Sequence, residues 1–302
     1  MNSLLGYAGR RYLAPLLALG TGTGCWSYNY RSPLGPRYAE TMLPVPVVAV
    51  SSGSRTLRVV TFNVQYAIHI DEAIALIKST PALRDADVIT LQEMDAPGAR
   101  RIADALHMAY VYYPACVERK TQRDFGDAIL SRWPIVADQK IVLPHLARFG
   151  GTARIATAAT VLVDGIPIRV YSVHLATQIE NGSGSRHDQA RTILADAAAY
   201  PRVVISGDMN SHGIGNEFRK AGFLWPTEHN PPSHHFFKFD HVFLKGLAPL
   251  DSGATGVVHD ARGASDHRPV WAVATLPPAL DAGSPAAAAP LHTPSSTARA
   301  AP

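Results

Sequence analysis

The sequence carries little charge: Asp, Glu, Lys and Arg make up 17% of 302 residues. With 23 Gly and 23 Pro, it reads as a loop-rich chain rather than a helical bundle. Two cysteines, Cys25 and Cys116, are too few for a disulfide framework. There is no Cys cluster or His-Glu-x-x-His pattern of the kind that holds zinc. No Gly-x-Ser-x-Gly elbow supports a Ser-His-Asp hydrolase, and no internal repeat is visible. The apolar run Tyr12–Leu19 is well short of the roughly 20 residues of a spanning helix. A strongly basic domain is also missing. The net charge is +4, but residues 1–54 hold +3 of it (Arg10, Arg11, Arg31 and Arg37 against Glu40) and residues 277–302 balance Arg299 with Asp281, which leaves +1 for the middle. A near-neutral domain disfavours tight duplex binding, which draws on many phosphate contacts.

What is present begins with an export-like start. Arg10-Arg11 precede the apolar run, and small residues follow to Gly24. This layout predicts an export signal over 1–25 and a periplasmic or cell-envelope location. Gly24-Cys25 is similar to a lipoprotein cleavage site, so membrane attachment through Cys25 is an expectation. Residues 26–54, rich in Pro, Ser and Tyr without periodicity, read as a linker. The Pro/Ala tail 277–302 has almost no bulky side chains to offset ordering entropy and is expected to be disordered. One domain, 55–276, remains; the chain's 47% apolar composition allows a sizeable core, and a monomer is expected.

Within it, strand and helix patterns alternate. Strands are predicted at Leu57–Val64, Val88–Gln92, Ala128–Leu130, Ile135–Leu143, Ala156–Val163, Ile166–Val173, Val203–Ser206, His241–Leu244 and Val270–Ala274. Helices are predicted at Asp71–Ser79, Gly98–Leu106 and Arg186–Ala199. Strand runs interleaved with helices suggest an α/β fold of two mixed β-sheets with helices outside.

Chemistry-bearing side chains fall where these strands stop or start: Asn63, Glu93, His174, Asp208 with Asn210, Asp240, and Asp266 with His267. Such positions let a rigid sheet present functional groups. Each has an ordinary alternative, since an Asp beside a strand is commonly a turn former; it is their co-occurrence that points to a site. Carboxylates and amide oxygens suit Mg²⁺, Mn²⁺ or Ca²⁺. The two histidines can move protons or bind phosphate oxygens. His241, flanked by apolar residues, is read as structural, and Arg154 and Arg132 as candidate phosphate contacts.

The stretches TFNVQ, LQEMD, FGDAILSRWPI, VYSVHLA, ISGDMNS, FDHVF and ASDHRPVW, in that order over about 55–276, resemble the endonuclease/exonuclease/phosphatase superfamily with its deoxyribonuclease-I-like fold. The resemblance implies a four-layer α/β sandwich, two mixed β-sheets packed face to face with helices outside. It also implies metal-dependent hydrolysis of a phosphate ester. By that analogy Glu93 is the main metal ligand, with Asn63 and Asp266 completing the metal set. Asp208 and Asn210 hold water and phosphate. His267, oriented by Asp240, acts as base or phosphate ligand, His174 contacts the scissile group, and Arg154 binds substrate. Two departures stand out. Asp127 occupies a position where many relatives carry Asn, and no clear second acid follows a Tyr in the 110–124 region, where Glu118 is the nearest candidate. The substrate could be nucleic acid, a phospholipid or a small phosphoester such as an inositol phosphate. A non-catalytic surface lipoprotein with the same fold is the alternative from another class. The loop Trp225–Phe239, with His234-His235 and Phe236-Phe237, could contact substrate or membrane.

Overall fold

A computed structural model describes residues 28–42, 55–251 and 253–276. The predicted export segment with Cys25 and the predicted disordered tail lie outside the described residues. The strands are β1 (Tyr38–Glu40), β2 (Thr56–Asn63), β3 (Val88–Met94), β4 (Ala109–Val117), β5 (Asp124–Ser131), β6 (Ile135–Val142), β7 (Ile155–Val163), β8 (Ile166–His174), β9 (Val203–Asp208), β10 (Asp240–Lys245), β11 (Ala248–Pro249), β12 (Thr255–Val257) and β13 (Val270–Thr275). The helices are α1 (Ile70–Ser79), α2 (Pro81–Arg84), α3 (Ala96–Leu106), α4 (Ser183–Ala197) and α5 (Gly215–Lys220).

The strands form two mixed sheets. One runs β1-β4-β5-β3-β2-β13-β11, with β12 also on β13; the other runs β10-β9-β8-β7-β6. Three apolar clusters separate four layers. The first lies between the sheets, joining Val59, Val111 and Ile129 to Val161, Val170 and Val204. The second packs Leu76, Leu83 and Ile102 of α1, α2 and α3 on the outer face of the larger sheet. The third packs Ile193 and Phe218 of α4 and α5 on the outer face of the smaller one. Covered on both faces, the central strands are apolar nearly throughout. Each fully buried Leu, Ile or Phe here contributes roughly 1.5–3 kcal/mol. The expected four-layer α/β sandwich is therefore the observed fold.

Local chemistry sets several boundaries. Asp95 caps α3 by accepting the Gly98 N–H at 2.8 Å, and His107 closes that helix in the left-handed conformation. Strand β4 escaped the sequence reading because eight of its nine residues are buried, which hides any alternation, and Pro114 interrupts it. The expected linker needs a correction. Residues 28–42 lie on the domain: β1 pairs with β4, and Asn29 donates to Gly151 O and accepts from Ala153 N–H, both at 2.7 Å. Edge pairing uses backbone groups, so it left no apolar period to read.

Towards one edge of the sandwich the inter-sheet core turns polar. Gln92 Nε2 donates to Ser172 Oγ at 3.0 Å, and the Thr90 and Ser206 hydroxyls are 2.9 Å apart. These buried bonds lock the register of one sheet against the other, because a slip would leave polar groups unpaired.

Candidate active site

The site forms where the polar end of the core meets the loops. Sheet pairing does most of the positioning. Asp208 ends β9 and sits directly opposite His174, which ends parallel β8. On its other side it faces Asp240, which begins antiparallel β10. Three side chains from three neighbouring strands thus share one row. Gly207 makes the spacing possible, since a Cβ there would lie 1.9 Å from Val173 O. The other sheet supplies Asn63 from the end of β2. Glu93 lies in the irregular stretch of β3 between Leu91 and Met94. Glu93 and Asn210 both adopt left-handed backbone, with φ of 58° and 49°. This turns them out of the strand direction at a cost of about 1–3 kcal/mol each.

Asp208 Oδ2 is the focus of the arrangement. Asn63 Nδ2 donates to it at 3.1 Å, and the Nε2 atoms of His174 and His267 both lie 3.6 Å away. Asp208 Oδ1 accepts the Asn210 N–H at 2.8 Å. Asn63 Nδ2 also donates to Glu93 Oε1 at 3.1 Å, and Glu93 Oε2 accepts the Tyr66 N–H at 3.1 Å. Asn63 Oδ1 accepts the Gln65 N–H at 3.1 Å. The amide of Asn63 therefore ties Glu93 to Asp208 and presents its nitrogen, not its oxygen, to the carboxylates.

The two histidines differ in state. His267 Nδ1 lies 2.8 Å from Asp240 Oδ2. Burial pulls its pKa down, but Asp240, Asp208 and Asp266 outweigh burial and hold it at about 10, so the ring is an imidazolium at neutral pH. His174 is pushed the other way, well below the ordinary value, by burial and then by the Arg154 guanidinium and His267. Arg154 Nη1 lies 3.0 Å from His174 Nδ1. A guanidinium only donates, so Nδ1 is the acceptor and the proton sits on Nε2, facing Asp208. Burial raises Asp208 itself above the usual carboxylate range, against the lowering pull of His267.

Arg154 is buried, donates to Glu180 Oε2 at 2.9 Å and stacks over Phe125. With those partners it orients His174, and among the described residues its Nε has no hydrogen-bond partner. Asp266 is exposed, 3.5 Å from His234 Nε2. Among the described residues, Asp208, Asp240 and His267 form one group whose ligand atoms lie within 4.8 Å of each other, and His234, Asp266 and His267 form another. Glu93 belongs to neither. Glu118 caps the β4–β5 turn, accepting the Lys120 and Thr121 N–H groups at 2.7 and 2.8 Å. Arg132 donates to Arg84 O, away from the site. His241 is buried between the Trp225 indole N–H and Lys238 O and is structural.

Two contributors were missed. Ser265 Oγ donates to Asn63 O at 2.7 Å and accepts the His267 N–H at 3.0 Å, joining the Asp-His segment to β2. A Ser two residues before His267 is a recognisable Ser-turn signal. Glu180 holds Arg154, and nothing in its sequence surroundings marks it.

Comparison with known proteins supports the same fold. Residues 60–267 match the Endonuclease/Exonuclease/phosphatase family. No curated protein sequence matches the chain. Among solved structures, the endonuclease/exonuclease/phosphatase from Beutenbergia cavernae DSM 12333 is 21% identical with a TM-score of 0.59, covering 74% of this chain and 72% of that one. D. rerio TDP2 complexed with single strand DNA product is 17% identical with a TM-score of 0.57, covering 73% and 99%. The mannosyl-6-phosphatase Bt3783 of Bacteroides thetaiotaomicron VPI-5482 is 16% identical with a TM-score of 0.53, covering 73% and 100%. At these identities the likeness is one of fold.

Proposed function

The chain belongs to the Endonuclease/Exonuclease/phosphatase family, whose members hydrolyse phosphate esters, and from that membership we propose that it is a divalent-metal-dependent phosphoesterase. The observation that carries the reading is the convergence on Asp208 Oδ2 of the Asn63 amide and both histidine Nε2 atoms.

A divalent ion fits the residues present. Glu93 is a hard oxygen donor whose carboxylate burial raises towards protonation, and among the described residues no salt bridge reaches it. Mg²⁺ or Mn²⁺ held by Glu93 and Asp266 would supply Lewis-acid neutralisation of a phosphoryl oxygen. The chain's own groups account for the rest. The His267 imidazolium and the His174 Nε2–H offer two donors to the equatorial oxygens. The Asn210 amide nitrogen is taken by Leu175 O at 3.0 Å, which leaves its oxygen to orient a water. Asp208, with its pKa raised towards neutrality, is suited to take the proton of that water as it attacks phosphorus. His267 is thus assigned to the phosphate and Asp208 to the proton.

Phosphodiesters of the nucleic-acid type are the first substrates of this reading. One observation favours a second class, lipid or inositol phosphates: Phe236 stands 89% exposed on the turn beside His267. The test is a screen of the full-length protein on DNA, RNA, a phosphodiester chromogen, sphingomyelin and inositol phosphates with Mg²⁺, Mn²⁺ or EDTA. Turnover that EDTA abolishes is expected, with Glu93→Ala and His267→Ala each lowering it roughly 10²-fold or more. Activity surviving EDTA removes the metal from the reading. Export and lipid attachment at Cys25 complete the proposal; palmitate labelling that persists in Cys25→Ala would overturn the anchor.

A further inference from the structure

Three loops meet at the end of the catalytic row where His174 stands. The loop after β6 and the loop after β8 are joined through Arg148, whose N–H lies 3.1 Å from Glu180 O and 3.2 Å from Asn181 Oδ1 and donates to both. That bond brings the neighbouring residues Phe149 and Ile179 to one rim, where they stand 69% and 85% exposed. The turn between β4 and β5 adjoins them. Its Arg119 reaches over Gly150, with Nη1 3.4 Å from where a Cβ would stand.

The charge of this rim is one-sided. Arg119, Lys120 and Arg148 are exposed, and among the described residues none of them forms an ion pair. The acids of the same loops are both engaged: Glu118 caps its own turn and Glu180 holds Arg154. Free cations around protruding apolar side chains suit an anionic lipid surface. The cations meet the headgroups, and the apolar side chains enter the acyl boundary. Ile179 separates this occupant from nucleic acid, because an aliphatic side chain has no π-face on which a base can stack.

The course of the chain agrees. Tyr28 O accepts the Val117 N–H at 2.8 Å, and Asn29 is held at Gly151 and Ala153. The segment 28–42 therefore starts on this same edge. Cys25 lies three residues earlier in the sequence, a span of at most about 11 Å. Lipid attached there would hold this rim, rather than the opposite edge, against a membrane.

We propose that Phe149, Ile179, Arg119, Lys120 and Arg148 form a docking surface for an anionic phospholipid bilayer, which turns the mouth of the site towards the membrane. The surface is distinct from the turn carrying Phe236 and does not depend on the phosphoesterase reading.

The test uses full-length protein with Cys25→Ser, so that no acyl chain masks the surface. Cys116 is buried and stays unlabelled. A bimane fluorophore is placed on Gln178→Cys, beside Ile179, or on Val136→Cys, exposed at the other end of β6. Vesicles of phosphatidylcholine and phosphatidylglycerol containing brominated lipid should quench the first label and not the second. Phe149→Ser with Ile179→Ser, and separately Arg119→Gln with Arg148→Gln, should each raise the lipid concentration for half-quenching at least tenfold. All four positions are exposed, and an unchanged Tm confirms the fold. No quenching at position 178, equal quenching at both labels, or unaltered half-quenching in either double variant overturns the proposal. So does a label at 178 that responds to a single-stranded oligonucleotide and not to vesicles, which would give the rim to nucleic acid.

Discussion

Replacing Asp240 by Asn should move the alkaline limit of activity. Asp240 Oδ2 sits 2.8 Å from His267 Nδ1, and both residues are buried, at 3% and 6% exposure. Raising an imidazole from 6.5 to about 10 corresponds to roughly 5 kcal/mol of preference for the charged ring. Three carboxylates supply that preference, and Asp240 is the one in hydrogen-bond contact. Asn keeps the size and an acceptor oxygen but removes the charge. An adjacent opposite charge accounts for about 1–3 pH units, so the ring in the variant should lose its proton that much earlier. If the imidazolium holds the phosphate, the descending limb of kcat/KM on a phosphodiester chromogen lies near 10 in the wild type. In Asp240→Asn it should fall by about 1–3 units, while the plateau below it changes far less. NMR titration of the His267 ring in metal-free protein gives the same shift without turnover. An unmoved limb in a folded variant, or a loss equal at every pH, would refute the assignment and leave Asp240 a scaffold. Stability has a matching sign. The folded state holds this proton more tightly, so the contribution is complete below about 6.5, fades as pH rises through about 10, and should be flatter in the variant.

Other consequences concern groups around the row. Arg154→Leu removes the donor that fixes His174 Nδ1 as acceptor; kcat should fall about 10²-fold with KM little changed, and an unchanged kcat would detach Arg154 from the site. Asp127 is buried with Oδ2 unpartnered, and burial raises its pKa well above 3.8. The unfolded chain releases this proton first, so each pH unit above that value costs the fold about 1.4 kcal/mol until the folded group titrates. Asp127→Asn should therefore gain in Tm relative to wild type between pH 5 and pH 8; an equal Tm difference at both would show that Asp127 is not held protonated.

Much of this protein is written in its sequence. Apolar strands interleaved with amphipathic helices determine a layered α/β sandwich, because each element has one face or two to bury. Asn63, Glu93, His174, Asp208, Asp240 and His267 are visible as polar residues at strand ends, since a strand must stop where its burial stops. Backbone-driven features are not visible. Strand β1 pairs through peptide groups and has no side-chain period, and β4 is buried on both faces.

Charge states and partnerships were decided only in three dimensions. His174 and His267 look alike in sequence, yet one is neutral and the other charged, because Arg154 faces the first and Asp240 the second. The Asn63 amide and the His174 and His267 rings reach Asp208 from distant parts of the chain, and spacing along a chain cannot report a distance that only tertiary packing sets.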